Sequence, residues 1–146
     1  MKLALLLWLV SLMPAEVQDR ACLAATVYLE ARDQSQRGQS AVAEVAMRRL
    51  SSGRYGDTVC EVVLASKQFA PGIVSPNTRM KSMPAWERAW TIAGLALTMW
   101  SQPAKSRMEI VPGADHFFAH NLVQPDWARG EPVAVIGDHA FYRVGM

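Results

Sequence analysis

The sequence predicts a small, mainly helical α+β domain that closes on a C-terminal β-hairpin. Helical spacing of apolar residues dominates from Ala21 to about Trp100. Beyond it the character changes to short aromatic or β-branched runs, His116–His120, Val133–Ile136 and His139–Val144. The last two runs flank Gly137-Asp138, a two-residue turn with glycine first, as a type II′ hairpin requires. The chain has 146 residues, 51% hydrophobic and 19% charged. That is one domain's length and enough apolar surface for a core. The composition excludes disorder as a description of the whole.

The N-terminus is expected to be a targeting segment, residues 1–20, ahead of a folded domain at 21–146. Met1-Lys2 gives a short positive start, Leu3–Leu12 is apolar, and Met13-Pro14-Ala15 breaks the run. Such a run is too short to span ~30 Å of hydrocarbon as a helix, and it suits a secretory signal. Cleavage after Ala15 or after Ala21 both fit, and a retained anchor is the alternative. Cys22 and Cys60 agree with export: an even pair in a signal-bearing chain reads as a disulfide. The net charge of +2 shows no polybasic stripe, so no nucleic-acid partner is expected.

The elements follow in order. A first helix covers Ala21–Arg32, and Asp33–Gly38 is a polar turn. A second helix runs from about Gln39 to Ser51 and stops at Gly53. Thr58-Val59-Cys60-Glu61 is a capping-box pattern opening a short third helix. Ser66–Met83, with Pro71, Gly72, Pro76 and Asn77, reads as a long loop. Pro84 suits the first turn of a fourth helix carrying Trp86, Trp90 and Trp100, and Pro103 ends it. The Trp stripe reads as core packing before sugar platform. In the hairpin, His139, Phe141 and Arg143 alternate with Ala140, Tyr142 and Val144 across the two faces.

Glu30 is the candidate acid. It closes the apolar segment Ala21–Leu29, near the negative end of the helix dipole. Lost solvation and the dipole both disfavour the carboxylate and raise the pKa. That is what a general acid near neutral pH needs. Around it, Gln68, Phe69, His116, Trp127, His139 and Tyr142 are candidates to line a sugar groove. Glycosidic cleavage usually takes two carboxylates. One suffices in lytic transglycosylation, where the acid protonates the leaving oxygen and the resulting carboxylate draws a proton from the muramyl 6-hydroxyl, closing an anhydro ring. A competing constellation is zinc held by His116, His120 and His139. None of these lies in a tight ligand signature, and no metal or other cofactor is expected.

The motifs, taken together and in order, resemble a known family. They are Val27-Tyr28-Leu29-Glu30-Ala31-Arg32, Gly38-Gln39-Ser40-Ala41-Val42-Ala43, Arg48-Arg49-Leu50, Thr58–Val63 followed by Gln68-Phe69, Gly113–Phe117, Pro125-Asp126-Trp127 and Ile136–Arg143. This set is similar to the cell-wall hydrolases of the spore-cortex-lytic type (the SleB/CwlJ family). The resemblance implies a lysozyme- or transglycosylase-like catalytic domain over 21–146. It implies peptidoglycan cleavage; with the helix-end acid, the expected partner is the glycan strand and the expected bond is that between muramic acid and glucosamine. The resemblance puts the family's catalytic glutamate on Glu30. Phe117 joins the substrate-binding candidates on the same ground. The sequence departs from the family pattern at Leu29, Asp33-Gln34, Ala70 and Phe118. The alternatives are a metal-dependent N-acetylmuramoyl-L-alanine amidase and a non-catalytic peptidoglycan-binding module. The expected place is the periplasm or cell envelope, as a monomer, with membrane contact only through an uncleaved leader.

Overall fold

The structure, a computed structural model, describes residues 1–65 and 69–145. Gln68, a groove candidate, therefore lies outside the described residues. The chain is mainly helical α+β, with a small three-stranded antiparallel sheet near the C-terminus. No described helix is long and apolar enough to cross a membrane.

Helix α1 covers Leu3–Ser11 and helix α2 covers Ala15–Ala31. The expected start of α2 at Ala21 is corrected: it begins directly after Pro14, inside the segment read as leader. Its extra turn is tied to the rest of the molecule. The Arg20 guanidinium lies 4.4 Å from the Trp90 ring centroid, and Nε donates to the Trp90 carbonyl at 3.0 Å. Asp19 accepts the Val59 amide at 3.2 Å. Helix α3, Gln36–Ser52, also starts earlier than expected, because Ser35 caps it by accepting the Gly38 amide. It ends at Gly53, whose φ of 71° is the left-handed stop glycine allows.

Helix α4, Val59–Leu64, has the expected cap: the Thr58 hydroxyl accepts the Glu61 amide. Glu61 reaches back one residue further than the capping-box pattern, to the Asp57 amide. The segment read as a long loop contains a short helix, α5, Ala70–Ile73, with Pro71 in its first turn where the missing N–H costs nothing. Helix α6 covers Met83–Trp100; Ser82 caps it, Pro84 sits in its first turn, and it stops ahead of Pro103. Its Ala85, Ala89, Ile92 and Ala93 face the core, whereas Trp86 and Trp90 are only partly buried. Helices α2, α3 and α6 pack on one another, and the Cys22–Cys60 disulfide joins α2 to α4 with a Cα–Cα distance of 5.2 Å. Because α2 starts early, Cys22 lies in its middle rather than at its start.

Strand β1 is His116–Ala119, β2 is Ala134–Ile136 and β3 is His139–Tyr142, in the order β1-β3-β2. The hairpin turns at Gly137, φ 56°. His116 pairs with Tyr142, and Ile136 with His139. Alternation separates the faces. Phe117, His139 and Phe141 pack together on one face and meet Phe69, whose ring centroid lies 6.0 Å from that of Phe117. His116, Phe118 and Tyr142 gather around Trp127 on the other.

Candidate active site

Glu30 lies in the last turn of α2, partly buried, after a run from Ala21 to Tyr28 with no exposed residue. Burial pushes its carboxyl up to about 7. Two groups pull the other way, the Arg49 guanidinium and a hydrogen bond from the Ala70 amide. The net result is a carboxyl half protonated near neutral pH, able both to give and to take a proton.

The surroundings explain how this state is held. Arg49, 4% exposed, comes from the last turn of α3. Its guanidinium stacks on Tyr55 and Phe69, and its Nε donates to the Asp115 carbonyl at 2.7 Å. Burial lowers the Arg49 pKa, while Tyr55, Asp115 and Glu30 raise it. A guanidinium starts so high that it stays charged. Phe69 is fully buried and precedes the first residue of α5, so the ring anchors the turn that presents the Ala70 amide to Glu30. The substitution of Ala for the family's residue at 70 leaves this contact intact, since the backbone makes it.

The sheet does not bring all the groove candidates together. Phe69, Phe117 and His139 belong to the inner face, and Phe69 is core. His116, Trp127 and Tyr142 belong to the outer face, with the His116 and Trp127 rings 4.9 Å apart. His139 is 6% exposed, and its Nδ1 has no hydrogen-bond partner. Burial lowers its pKa against the opposing pull of Asp138 and Asp33, with His120 acting in the same sense as burial. His120 bonds the Gly137 carbonyl through Nε2, and His116 bonds Asp115 through Nδ1. His116 and His139 thus lie on opposite faces of the sheet, and among the described residues no group of three or more His, Cys, Asp or Glu is placed to hold a metal ion.

Three positioning residues carried no sequence signal strong enough to single them out. Arg49 was visible as part of an Arg-Arg pair and at helical spacing with Val42, Val45 and Ala46, but with no sign of its partner. Gln34 bonds Asp138 twice, Nε2 to Oδ2 at 2.8 Å and Oε1 from the amide at 3.0 Å, and so latches the hairpin turn onto the turn after α2. Asp115 accepts the Val144 and Gly145 amides and His116 Nδ1. Burial pushes its carboxyl up, but these hydrogen bonds outweigh it and hold the pKa below the usual carboxylate value.

A partly buried carboxyl raised to about 7 at a helix end, beside a small sheet, is the candidate acid–base group of this small α+β domain. A family model described as Cell Wall Hydrolase matches residues 33–142, well over half of the chain, and the chain belongs to that family. Peptidoglycan is the substrate this family implies. No curated protein and no solved structure matches the chain. The matched segment opens at Asp33, just after Glu30. The role of Glu30 therefore rests on its own surroundings and on the resemblance of the residues flanking it.

Proposed function

We propose that this cell-wall hydrolase is an exported lytic transglycosylase that cuts the glycan between muramic acid and glucosamine with Glu30. The observation that carries the reading is the Glu30 carboxyl, raised to about 7 by burial yet hydrogen-bonded by the Ala70 amide. Protonated, it delivers its proton to the glycosidic oxygen as the C–O bond breaks. Ionised, it accepts the proton of the muramyl 6-hydroxyl as that oxygen closes on the anomeric carbon. The proton balance returns to its starting point, and no second carboxylate or water is consumed. The Arg49 charge stabilises the carboxylate between the two steps. The aromatic outer face of the sheet, with His116, Trp127 and Tyr142, is the candidate sugar-contacting surface, and the disulfide and N-terminal apolar segment fit action outside the cytoplasm.

Digestion of purified sacculi followed by mass analysis tests the reading. Anhydromuramyl ends are the expected product. Hydrated reducing ends would replace it with a lysozyme-type hydrolase, free stem peptides with an amidase, and the absence of soluble product with a binding module.

A further inference from the structure

A cavity of about 570 Å³ is lined in part by Arg49, and Glu30 does not line it. Its charged lining is Arg48, Arg49, Arg54 and Arg143 against Glu109 and Asp115. The two acids are already engaged. Asp115 accepts the Val144 and Gly145 amides and His116, and Glu109 accepts Arg48 at 2.6 Å. Arg48 and Arg49 are also engaged, donating to the Ala114 and Asp115 carbonyls. Arg54 and Arg143 differ: both are exposed, and neither has an acidic partner among the described residues.

Both side chains lie against backbone at glycines. A Cβ on Gly145 would lie 2.5 Å from Arg54 Nη2 and 2.6 Å from Asp115 Oδ2, so the guanidinium rests close against the backbone at this glycine. Gly113, at φ 79°, brings the loop before β1 close under the Arg143 stem, where a Cβ would stand 3.4 Å from Cδ. Two guanidiniums from distant parts of the chain thus share one concave surface in which four arginines face two carboxylates, both already hydrogen-bonded elsewhere. A planar carboxylate or a phosphate oxygen pair is the complementary ligand.

We propose that this cavity binds the free carboxylates of the peptide stems carried by the glycan, and so fixes which strands present their glycosidic bonds. The proposal rests on peptidoglycan being the substrate, and in that polymer free carboxylates belong to the peptide stems. It does not require Glu30 to be the acid.

Calorimetric titration at low ionic strength tests it on the intact protein. The probes are a synthetic stem tetrapeptide, the same peptide with its carboxylates amidated, and inorganic phosphate, each added to native protein and to the double variant Arg54→Ala/Arg143→Ala. Both side chains are exposed, so the variant should keep the native melting curve. The tetrapeptide should bind native protein and bind the variant at least about tenfold more weakly, the scale of one lost charge-assisted hydrogen bond. The amidated peptide should lose a similar factor on native protein. Undetectable binding, equal affinity of the variant, or equal affinity of the amidated peptide overturns the proposal. Phosphate binding more tightly than the tetrapeptide, with the same dependence on the arginines, also overturns it and assigns the cavity to a phosphate source. Sacculi left uncut while the tetrapeptide binds would remove the catalytic reading and leave this one standing.

Discussion

Replacing Glu30 by Gln separates the chemical role of the residue from its structural cost. In the folded chain burial holds the carboxyl at about 7, against an ordinary value of 4.5. A carboxyl whose folded pKa is raised costs nothing while both states are protonated, below pH 4.5. The cost grows as pH rises between the two values and is complete above about 7. The gap corresponds to about 3 kcal/mol. Glu30→Gln keeps the shape and the acceptor for the Ala70 amide but cannot ionise. It should therefore match the native protein in stability at pH 4 and exceed it by about 3 kcal/mol at pH 8, a melting difference of about 10 °C for a chain of this size. Activity on sacculi should fall by about 10²–10⁴. Thermal melts of both proteins from pH 4 to 8, beside turbidity assays, give both readouts. The reasoning fails if the variant is no more stable than native at pH 8, or if it clears sacculi at the native rate.

The native activity itself should decline on the alkaline side with a midpoint near 7, as the protonated fraction of Glu30 falls; a flat profile from pH 5 to 9 would remove the acid role. Reduction of the Cys22–Cys60 disulfide, or its replacement by serines, should cost about 3–4 kcal/mol on the chain-entropy model, and alkylation with mass analysis should find no free thiol in oxidised protein. His139→Phe removes a buried imidazole whose folded pKa lies below 6.5, so the native protein loses stability to it as pH falls through 6.5 and the variant should not. At pH 7.5 the variant should be as stable as native or about 1 kcal/mol more so, since the unpartnered Nδ1 goes with it; equal acid sensitivity of the two would refute this. Removal of the leader should leave Glu16 as the first residue, because Asp19 and Arg20 hold α4 and α6; an N-terminus at Ala21 or Cys22 by intact mass would overturn that boundary.

The architecture was legible where one signal decided the local structure. The Thr58 cap, the Gly53 stop, Pro84 in the first turn of α6 and the hairpin around Gly137 all stand as the sequence reads. Boundaries slipped where two signals competed. The residues from Ala15 to Arg20 follow an apolar run and so read as leader, yet the contacts that make them helix lie on Trp90 and Val59, far away in the chain. Ser35 was hidden in a polar stretch that also reads as a turn, and α5 behind Pro71 and Gly72. The candidate acid was legible because it closes a long apolar helical run, even though the burial itself is completed by the fold. Its partners were not: the Ala70 contribution is a backbone amide, which no side-chain pattern announces, and Arg49 reaches Glu30 only through the packing of α3 against α2. The division of the aromatic residues between two faces of the sheet was implicit in the period-two alternation of β1, but which face meets Phe69 depends on the fold.

The latch between Gln34 and Asp138 spans 104 residues of sequence, and Asp115 is satisfied by the amides of Val144 and Gly145 at the far end of the chain. The sheet these contacts hold in place backs Phe69, and Phe69 anchors the turn whose amide steadies Glu30. A chain that has not yet closed these contacts thus has Glu30 on a helix end that water can reach, with an acidity nearer that of an ordinary carboxylate. The raised pKa of this carboxyl is therefore a property of the completed tertiary structure, made by contacts between segments distant in sequence.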